Sequence, residues 1–243
     1  MSIEVFNRYE HKYILQADTY LKLIEILDSK MNLDDHNKNH NCYTIANIYY
    51  DTKDDYLIRH SLDKPKYKEK LRLRAYGIPN ADSMVFLEIK KKFNGMVNKR
   101  RTNLKLSEAY DFINFHKKPA YKSYMNKQVL NELEYFLSIY NLIPKLYLAY
   151  DRIAYFEKGN DDLRISFDTN IRSRRYDIGL EMGDYGEPLL DDNIFIMEIK
   201  TSAAIPLWLS HILCDLGIKR RSFSKYGTEY KKTINMHEYT KIM

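Results

Sequence analysis

Alternation of apolar and charged positions dominates this chain, and its clearest instance occurs twice. Val85-Phe-Leu-Glu-Ile-Lys90 recurs nearly unchanged as Phe195-Ile-Met-Glu-Ile-Lys200, each with a glutamate and a lysine two residues apart around an isoleucine. On a β-strand neighbouring side chains point to opposite faces, so the charged pair shares one face and the apolar residues the other. Lys70-Leu-Arg-Leu-Arg74 groups Arg72 with Arg74 in the same way. Leu163-Arg-Ile-Ser-Phe-Asp168 groups Arg164, Ser166 and Asp168, and Arg8-Tyr-Glu-His-Lys12 groups Arg8, Glu10 and Lys12. An ordinary half-buried strand turns its charges to water. The same alternation fits the reverse, with charges around a closed wet interior and apolar faces outward under helices. Several such strands predict a charged tunnel.

The turn after the first repeat sharpens this. Asn94-Gly95 is the preferred pair for a two-residue type I′ hairpin. With that turn Lys90 lies opposite Lys99 and Glu88 opposite Arg101, and opposed residues share a face. Like charges opposed across a ladder destabilise it, so the Lys90–Lys99 pair predicts an anion between them.

Elsewhere the pattern predicts a strand over 3–14 and a helix over 19–30, capped by Asp18, with Leu21, Leu23, Ile24 and Leu27 at helical spacing. A polar loop over 34–41 holds His36 and His40, which read as a solvated connection rather than a metal pair. Strands follow at 43–50 and 66–76, with a short helix at 53–61 between them, and then the hairpin 84–105. Ser107 is expected to cap a short helix. A longer helix spans 122–140 with Val129, Leu130, Leu133, Phe136 and Leu137 on its apolar face. Pro144 precedes a strand at 145–157, which Gly159-Asn160 turns into another at 162–170. A loop rich in Gly, Asp and Glu over 176–193 leads to the second repeat. Pro206 opens a helix that buries Trp208, Leu209, Ile212 and Leu213 and that Gly217 ends. The basic segment 219–225 precedes a polar tail.

The total is about eight strands and about five helices, and eight strands can close a barrel around one small ligand. The predicted class is α+β: an eight-stranded antiparallel β-barrel with helices packed outside. No linker-like stretch divides the chain, so residues 1–243 read as one domain.

Charge fits an anion-filled interior. Among 243 residues, 39 Lys and Arg against 33 Asp and Glu leave a net charge of +6, which favours an anionic partner without naming it. Cys42 and Cys214 have no metal-ligand spacing and read as reduced thiols. With no bilayer-length apolar run and no signal-peptide pattern, the chain is expected to be cytoplasmic. No Walker A loop or dinucleotide fingerprint is present.

In order, Glu10-x-Lys12, Arg72-Leu-Arg74, Glu88-Ile-Lys90, Lys99-x-Arg101, Tyr150-Asp-Arg152, Arg164-Ile-Ser-Phe-Asp168, Glu198-Ile-Lys200 and Ser222-Phe-Ser-Lys-Tyr226 form a specific set. The chain resembles the triphosphate tunnel metalloenzymes of the CYTH-like class from about Phe6 to Tyr226. More narrowly, it resembles the polyphosphate polymerase domain of the vacuolar transporter chaperone complex and its bacterial relatives. The resemblance implies an eight-stranded barrel whose bore binds triphosphate or polyphosphate, with a divalent metal on acidic side chains. It implies catalytic roles for Lys12, Arg72, Arg74 and Lys225, and phosphate binding by Lys90, Lys99, Arg101, Arg152, Arg164 and Lys200 together with Tyr150. Mn²⁺ or Mg²⁺ would sit on Glu198, with Glu10 and Glu88 as further candidates. Glu88 reads also as a salt-bridge partner for the cations, and Glu10 fits either role. Two departures stand out: Arg8 replaces the first glutamate of the wider class's Glu-x-Glu-x-Lys, and Ser222 replaces a lysine, with Arg221 beside it.

The implied activity is an ATP-dependent polyphosphate polymerase that transfers the γ-phosphate of ATP to a growing chain. The alternatives are a tripolyphosphatase or triphosphatase of the same fold, and a non-catalytic polyanion-binding module. Carboxylates on the cationic faces argue against the last, and against nucleic acid as partner. The implied partners are ATP and polyphosphate, with room for a membrane-embedded partner protein at the inner face of the membrane.

Overall fold

Each charge-alternating segment is a strand, and together they form one antiparallel sheet that curls back on itself. The computed structural model describes residues 5–242; residues 3 and 4 of the predicted first strand and the side chain of Arg8 lie outside the described residues. The chain begins β1 (Val5–Gln16), α1 (Ala17–Lys30), β2 (Met31–Leu33), a 3-10 helix (Asp35–His40), β3 (Tyr43–Thr52), α2 (Tyr56–Leu62) and β4 (Tyr67–Tyr76). The hairpin β5 (Met84–Phe93) and β6 (Met96–Lys105) follows, then α3 (Leu106–Phe115), α4 (Lys127–Ile139), β7 (Leu142–Glu157) and β8 (Asn160–Arg174). It ends with β9 (Glu187–Pro188), β10 (Ile194–Thr201), α5 (Leu207–Asp215) and α6 (Lys225–Ile242).

The ten-stranded sheet runs β2-β7-β3-β4-β5-β6-β1-β10-β8-β9, and β7 also pairs with β8. That extra pairing brings the ribbon back on itself, so the strands from β7 round to β8 surround a tunnel. The expected closed eight-stranded barrel is corrected in one respect. β2 and β9 overhang, so the sheet as a whole is not closed and keeps two short free edges. At three and two residues, these pieces are too short for an alternating pattern to register in sequence.

The hairpin has the expected register. Phe93 faces Met96, Lys90 faces Lys99 and Glu88 faces Arg101. Asn94 and Gly95 both have positive φ, 46° and 90°, as a type I′ turn requires.

Apolar strand faces point outward under helices. Leu71, Leu73, Leu87 and Ile89 pack with Phe112 of α3 and Leu133 of α4. Ile165, Phe167, Met197 and Ile199 pack with Leu23 and Leu27 of α1 and Leu209 of α5. A third cluster lies beside the cavity rather than outside it: Tyr49 and Tyr150, which line the cavity, join Leu148, Ile196, Ile58 of α2 and Tyr226 and Tyr230 of α6.

Several local expectations shift for identifiable reasons. α1 begins where β1 stops, so Gln16 is the N-cap and Asp18 sits in the first turn, where its charge suits the helix's positive end. Leu21 lies off the Leu23–Leu27 stripe and is 63% exposed. α2 starts at Tyr56, its first turn held by the Asp51 carboxylate, which accepts the N–H groups of Leu57 and Ile58 at 2.8 and 2.9 Å. The N-cap of α3 is Lys105 rather than Ser107, and the Glu108 carboxylate accepts the Lys105 N–H at 3.0 Å. α4 starts at Lys127, where the Asn126 side chain accepts the Val129 N–H. β7 runs through Pro144, which sits opposite Tyr50 at a register shift, a place that tolerates a missing donor. In α5, Leu209 and Leu213 are buried, while Trp208 and Ile212 are half-buried. The predicted polar tail is the helix α6, anchored by Tyr226 and Tyr230 and by Glu229, which accepts from Arg175 at 2.7 and 2.8 Å.

Cys42 and Cys214 are free. Among the described residues no helix is long and apolar enough to cross a membrane.

Candidate functional site: a cationic tunnel

The inward strand faces enclose a cavity of about 620 Å³, lined among the described residues by sixteen lysines and arginines and two glutamates, Glu10 and Glu198. Every predicted site residue lines it except Glu88 and Arg101. So many like charges in one space would repel strongly. Buried carboxylates between the strands relieve this, and each acts as a hub.

Glu88 is the first hub. It is fully buried, and its Oε2 accepts from Arg72 Nε at 2.5 Å, with Arg74 Nε at 3.8 Å and Lys99 Nζ at 3.2 Å from Oε1. Burial would raise its carboxyl, but Arg72, Arg74 and Lys99 hold it well below the usual range. With both oxygens engaged and no face on the cavity, Glu88 has the geometry of an ion-pair hub and not that of a metal ligand. Arg101, its cross-strand partner, packs its guanidinium over the Phe86 ring at 4.6 Å. Asp168 is the second hub. It accepts from Arg152 at 2.6 and 2.9 Å and from Lys225 at 2.5 Å. Burial opposes the Asp168 charge, yet Arg152 and Lys225 keep its carboxyl below the usual range.

The third pairing faces the cavity. β1 and β10 set Glu10 opposite Lys200 and Lys12 opposite Glu198. Glu198 lies 3.0 Å from Lys200 and 3.7 Å from Lys12, and Glu10 accepts from Lys90 at 2.7 Å. Burial would raise both carboxyls; Lys90 chiefly lowers Glu10, and Lys200 and Lys12 hold Glu198 well below its usual value. The anion expected between Lys90 and Lys99 is therefore divided, Glu10 taking one lysine and Glu88 the other.

Among the described residues no three His, Cys, Asp or Glu side chains converge as a metal cage. Hard divalent cations in phosphate-transfer sites need less, since one or two carboxylates suffice when water and substrate phosphate complete the shell. Glu198 and Glu10, the two cavity-lining carboxylates among the described residues, fit that donor set.

The sequence matches the model of the VTC domain over residues 7–234. The chain belongs to the VTC domain family. Its fold is that of the triphosphate tunnel proteins. A provisionally named adenylate cyclase of Bacillus halodurans superposes with a TM-score of 0.57 at 15% identity, over 91% of this chain and 96% of that one. A provisionally named adenylyl cyclase of Hippeastrum with a dominant triphosphatase activity gives 0.55 at 13% identity, over 93% and 96%. At these identities the likeness is one of fold. No curated protein matches the sequence significantly.

In this VTC domain the segment 220–224 meets β1 through an antiparallel bridge between Arg220 and Tyr13 and brings Arg221, Ser222 and Ser224 to the cavity. Arg221 N–H donates to the Lys12 carbonyl at 2.8 Å, and Lys12 Nζ donates to the Phe223 carbonyl at 3.0 Å. The segment leads into Lys225, whose ammonium lies 4.3 Å from the centre of the Tyr150 ring. Burial would raise the Tyr150 phenol, but Arg74 and Arg152 outweigh it and set it at about 8. Arg74 also donates to the Tyr150 hydroxyl at 3.1 Å and to Asn47 at 3.0 Å.

Lys70 was not among the predicted site residues, although it alternates with Arg72 and Arg74 and lines the same cavity. Its Nζ lies 3.3 Å from Ser224 Oγ and 5.6 Å from the Tyr226 ring centre. Burial lowers it to about 7, and Lys12, Lys68 and Lys90 push the same way. Lys64, Lys68, Lys92 and Lys231 extend the cationic lining. Lys68 and Lys92 continue the alternation of β4 and β5 towards the strand ends, whereas Lys64 in a loop and Lys231 in α6 carry no such signal.

Proposed function

We propose that this VTC domain is an ATP-dependent polyphosphate polymerase, and that the whole chain serves as one tunnel domain. The observation that carries the proposal is the cavity itself, whose sixteen cations exceed what one triphosphate can occupy. A site that only hydrolysed a triphosphate would have no use for the additional cations. The VTC family match over residues 7–234 supports the same reading. The triphosphatase activity of the Hippeastrum neighbour makes hydrolysis the second reading.

Phosphoryl transfer asks for positioning and charge neutralisation more than for covalent chemistry. In this proposal Arg72 and Arg74 offer planar forks to phosphate oxygens, while Lys90, Lys99, Lys12 and Lys200 act as point charges. Arg152 and Lys225, fixed by Asp168, would hold the chain, with Lys70 as a further contact. Glu198 and Glu10 would hold Mn²⁺ or Mg²⁺ jointly with substrate phosphate, and such an ion neutralises oxygen charge in transfer. A terminal phosphate oxygen of the acceptor forms the new bond to the γ-phosphorus as the bond to the β-phosphate oxygen breaks, so ADP leaves and the chain grows by one. The domain would work in the cytoplasm, with a membrane-embedded partner protein. Purified protein given ATP and Mn²⁺ should release one ADP for each phosphate added to a gel-resolved chain. Orthophosphate in place of chain growth would establish the hydrolase, and neither product would leave polyanion binding alone.

A further inference from the structure

The two ends of the tunnel differ in chemistry, and β4 shows the contrast along one strand. Lys68 stands near its start and Tyr76 at its end, roughly 27 Å apart in an extended strand, and alternation keeps both on the face of Arg72 and Arg74. Around Lys68 the lining continues in Lys64, Lys92 and Lys231. Around Tyr76 it gives way to aromatic rings. The Tyr76 centroid lies 5.8 Å from Tyr43 and 5.6 Å from Phe86, and His36 stacks 6.4 Å from Tyr76 and lies 5.7 Å from Tyr43. Tyr76 and His36 are not core, since Tyr76 is 49% exposed and His36 is also exposed, while Tyr43 and Phe86 are half-buried behind them.

Arg164 joins this rim to the tunnel, and Arg101 lies beneath the rim. Arg164 lines the cavity, and its Nη2 lies 2.9 Å from Asp34 and 3.4 Å from the Tyr43 hydroxyl. Arg101 packs over Phe86, itself part of the rim. In both arginines Nε is buried with no hydrogen-bond partner among the described residues. A buried donor without a partner is costly, and phosphate oxygens are the acceptors an arginine suits best. Aromatic faces, in contrast, carry negative charge density that disfavours a bare polyanion, but they stack well on a base.

We propose that this rim holds the base of the nucleoside triphosphate whose phosphates lie in the tunnel. The base stacks on Tyr76 and His36, and the first phosphates pass Arg164. The lysine-lined end is left to the acceptor polyanion. The inference rests on the reading that the tunnel takes a nucleoside triphosphate.

Calorimetric titration of the wild type and of the double variant His36→Ala, Tyr76→Ala with β,γ-imido-ATP and with tripolyphosphate tests it. The double variant should bind the ATP analogue roughly tenfold more weakly and tripolyphosphate as the wild type does, and Tyr76→Phe should retain most of the analogue affinity. Unchanged analogue affinity in the double variant would overturn the proposal, as would equal losses for both ligands. If the wild type bound tripolyphosphate but not the analogue, the base site would fail while the tunnel stood. If it bound neither, the functional reading beneath it would fail as well.

Discussion

Glu198→Gln should lower metal-dependent turnover by about a thousandfold and leave the protein folded. The substitution keeps the side chain's size and hydrogen-bonding capacity but removes the charge that faces the cavity between Lys12 and Lys200. Those lysines stay partly neutralised by Glu10, which couples to both. Steady-state rates over a full Mn²⁺ titration, with circular dichroism as the control for folding, decide the matter. Undiminished turnover at every Mn²⁺ concentration would move the metal to Glu10.

Glu88→Ala should act in the opposite way, through stability. The substitution strips the carboxylate from Arg72, Arg74 and Lys99 at once. Breaking a buried ion pair by removing one partner costs about 3–5 kcal/mol, because the remaining charges stay uncompensated. On a marginally stable domain that is a large share of the total. The sign with pH follows from the depressed Glu88 carboxyl: its contribution is fully present above the unfolded value, near 4.5, and is lost as pH falls towards the much lower folded value. The variant should therefore be destabilised at pH 7 and show a weaker loss of stability on acidification than the wild type. Urea unfolding at several pH values measures both, and a variant as stable as wild type at pH 7 would remove Glu88 from its central place. Tripolyphosphate should recover part of the lost order by shielding the orphaned cations.

Much of this arrangement is legible in the sequence because it rests on period-two alternation and one turn. Asn94-Gly95 sets the register of β5 and β6, and that register puts Glu88 with Arg101 and Lys90 with Lys99 on one face. What alternation cannot give is the partner across the tunnel. Nothing in the order of residues says that Lys90 turns to Glu10, although Lys99 turns to Glu88, its diagonal neighbour on the same hairpin, so the opposed lysines imply an external anion where internal carboxylates already stand. Asp168 was visible on a charged face, but its grip on Lys225, 57 positions away, is purely tertiary. α6 escaped because it has no apolar stripe and is held by two tyrosines and one buried glutamate. Lys70 and Tyr76 were both on the legible face of β4. The arginines between them carry the resemblance, while the flanking residues take their part only once the strand is wrapped.

Ligand-induced stabilisation tests the central claim, that the tunnel is an anion site built into the fold, most directly. A ligand that binds only the folded state adds about 2.7 kcal/mol at a hundredfold excess over its dissociation constant, or about 5–10 °C in a domain of this size. Tripolyphosphate spans several tunnel cations and orthophosphate does not, so tripolyphosphate should raise the melting temperature by that amount and orthophosphate by much less at equal concentration. The difference should persist at moderate salt, where exposed charges are screened but enclosed ones are not. Equal shifts for the two anions, or a tripolyphosphate shift that disappears at moderate salt, would show a solvated basic surface and contradict the tunnel.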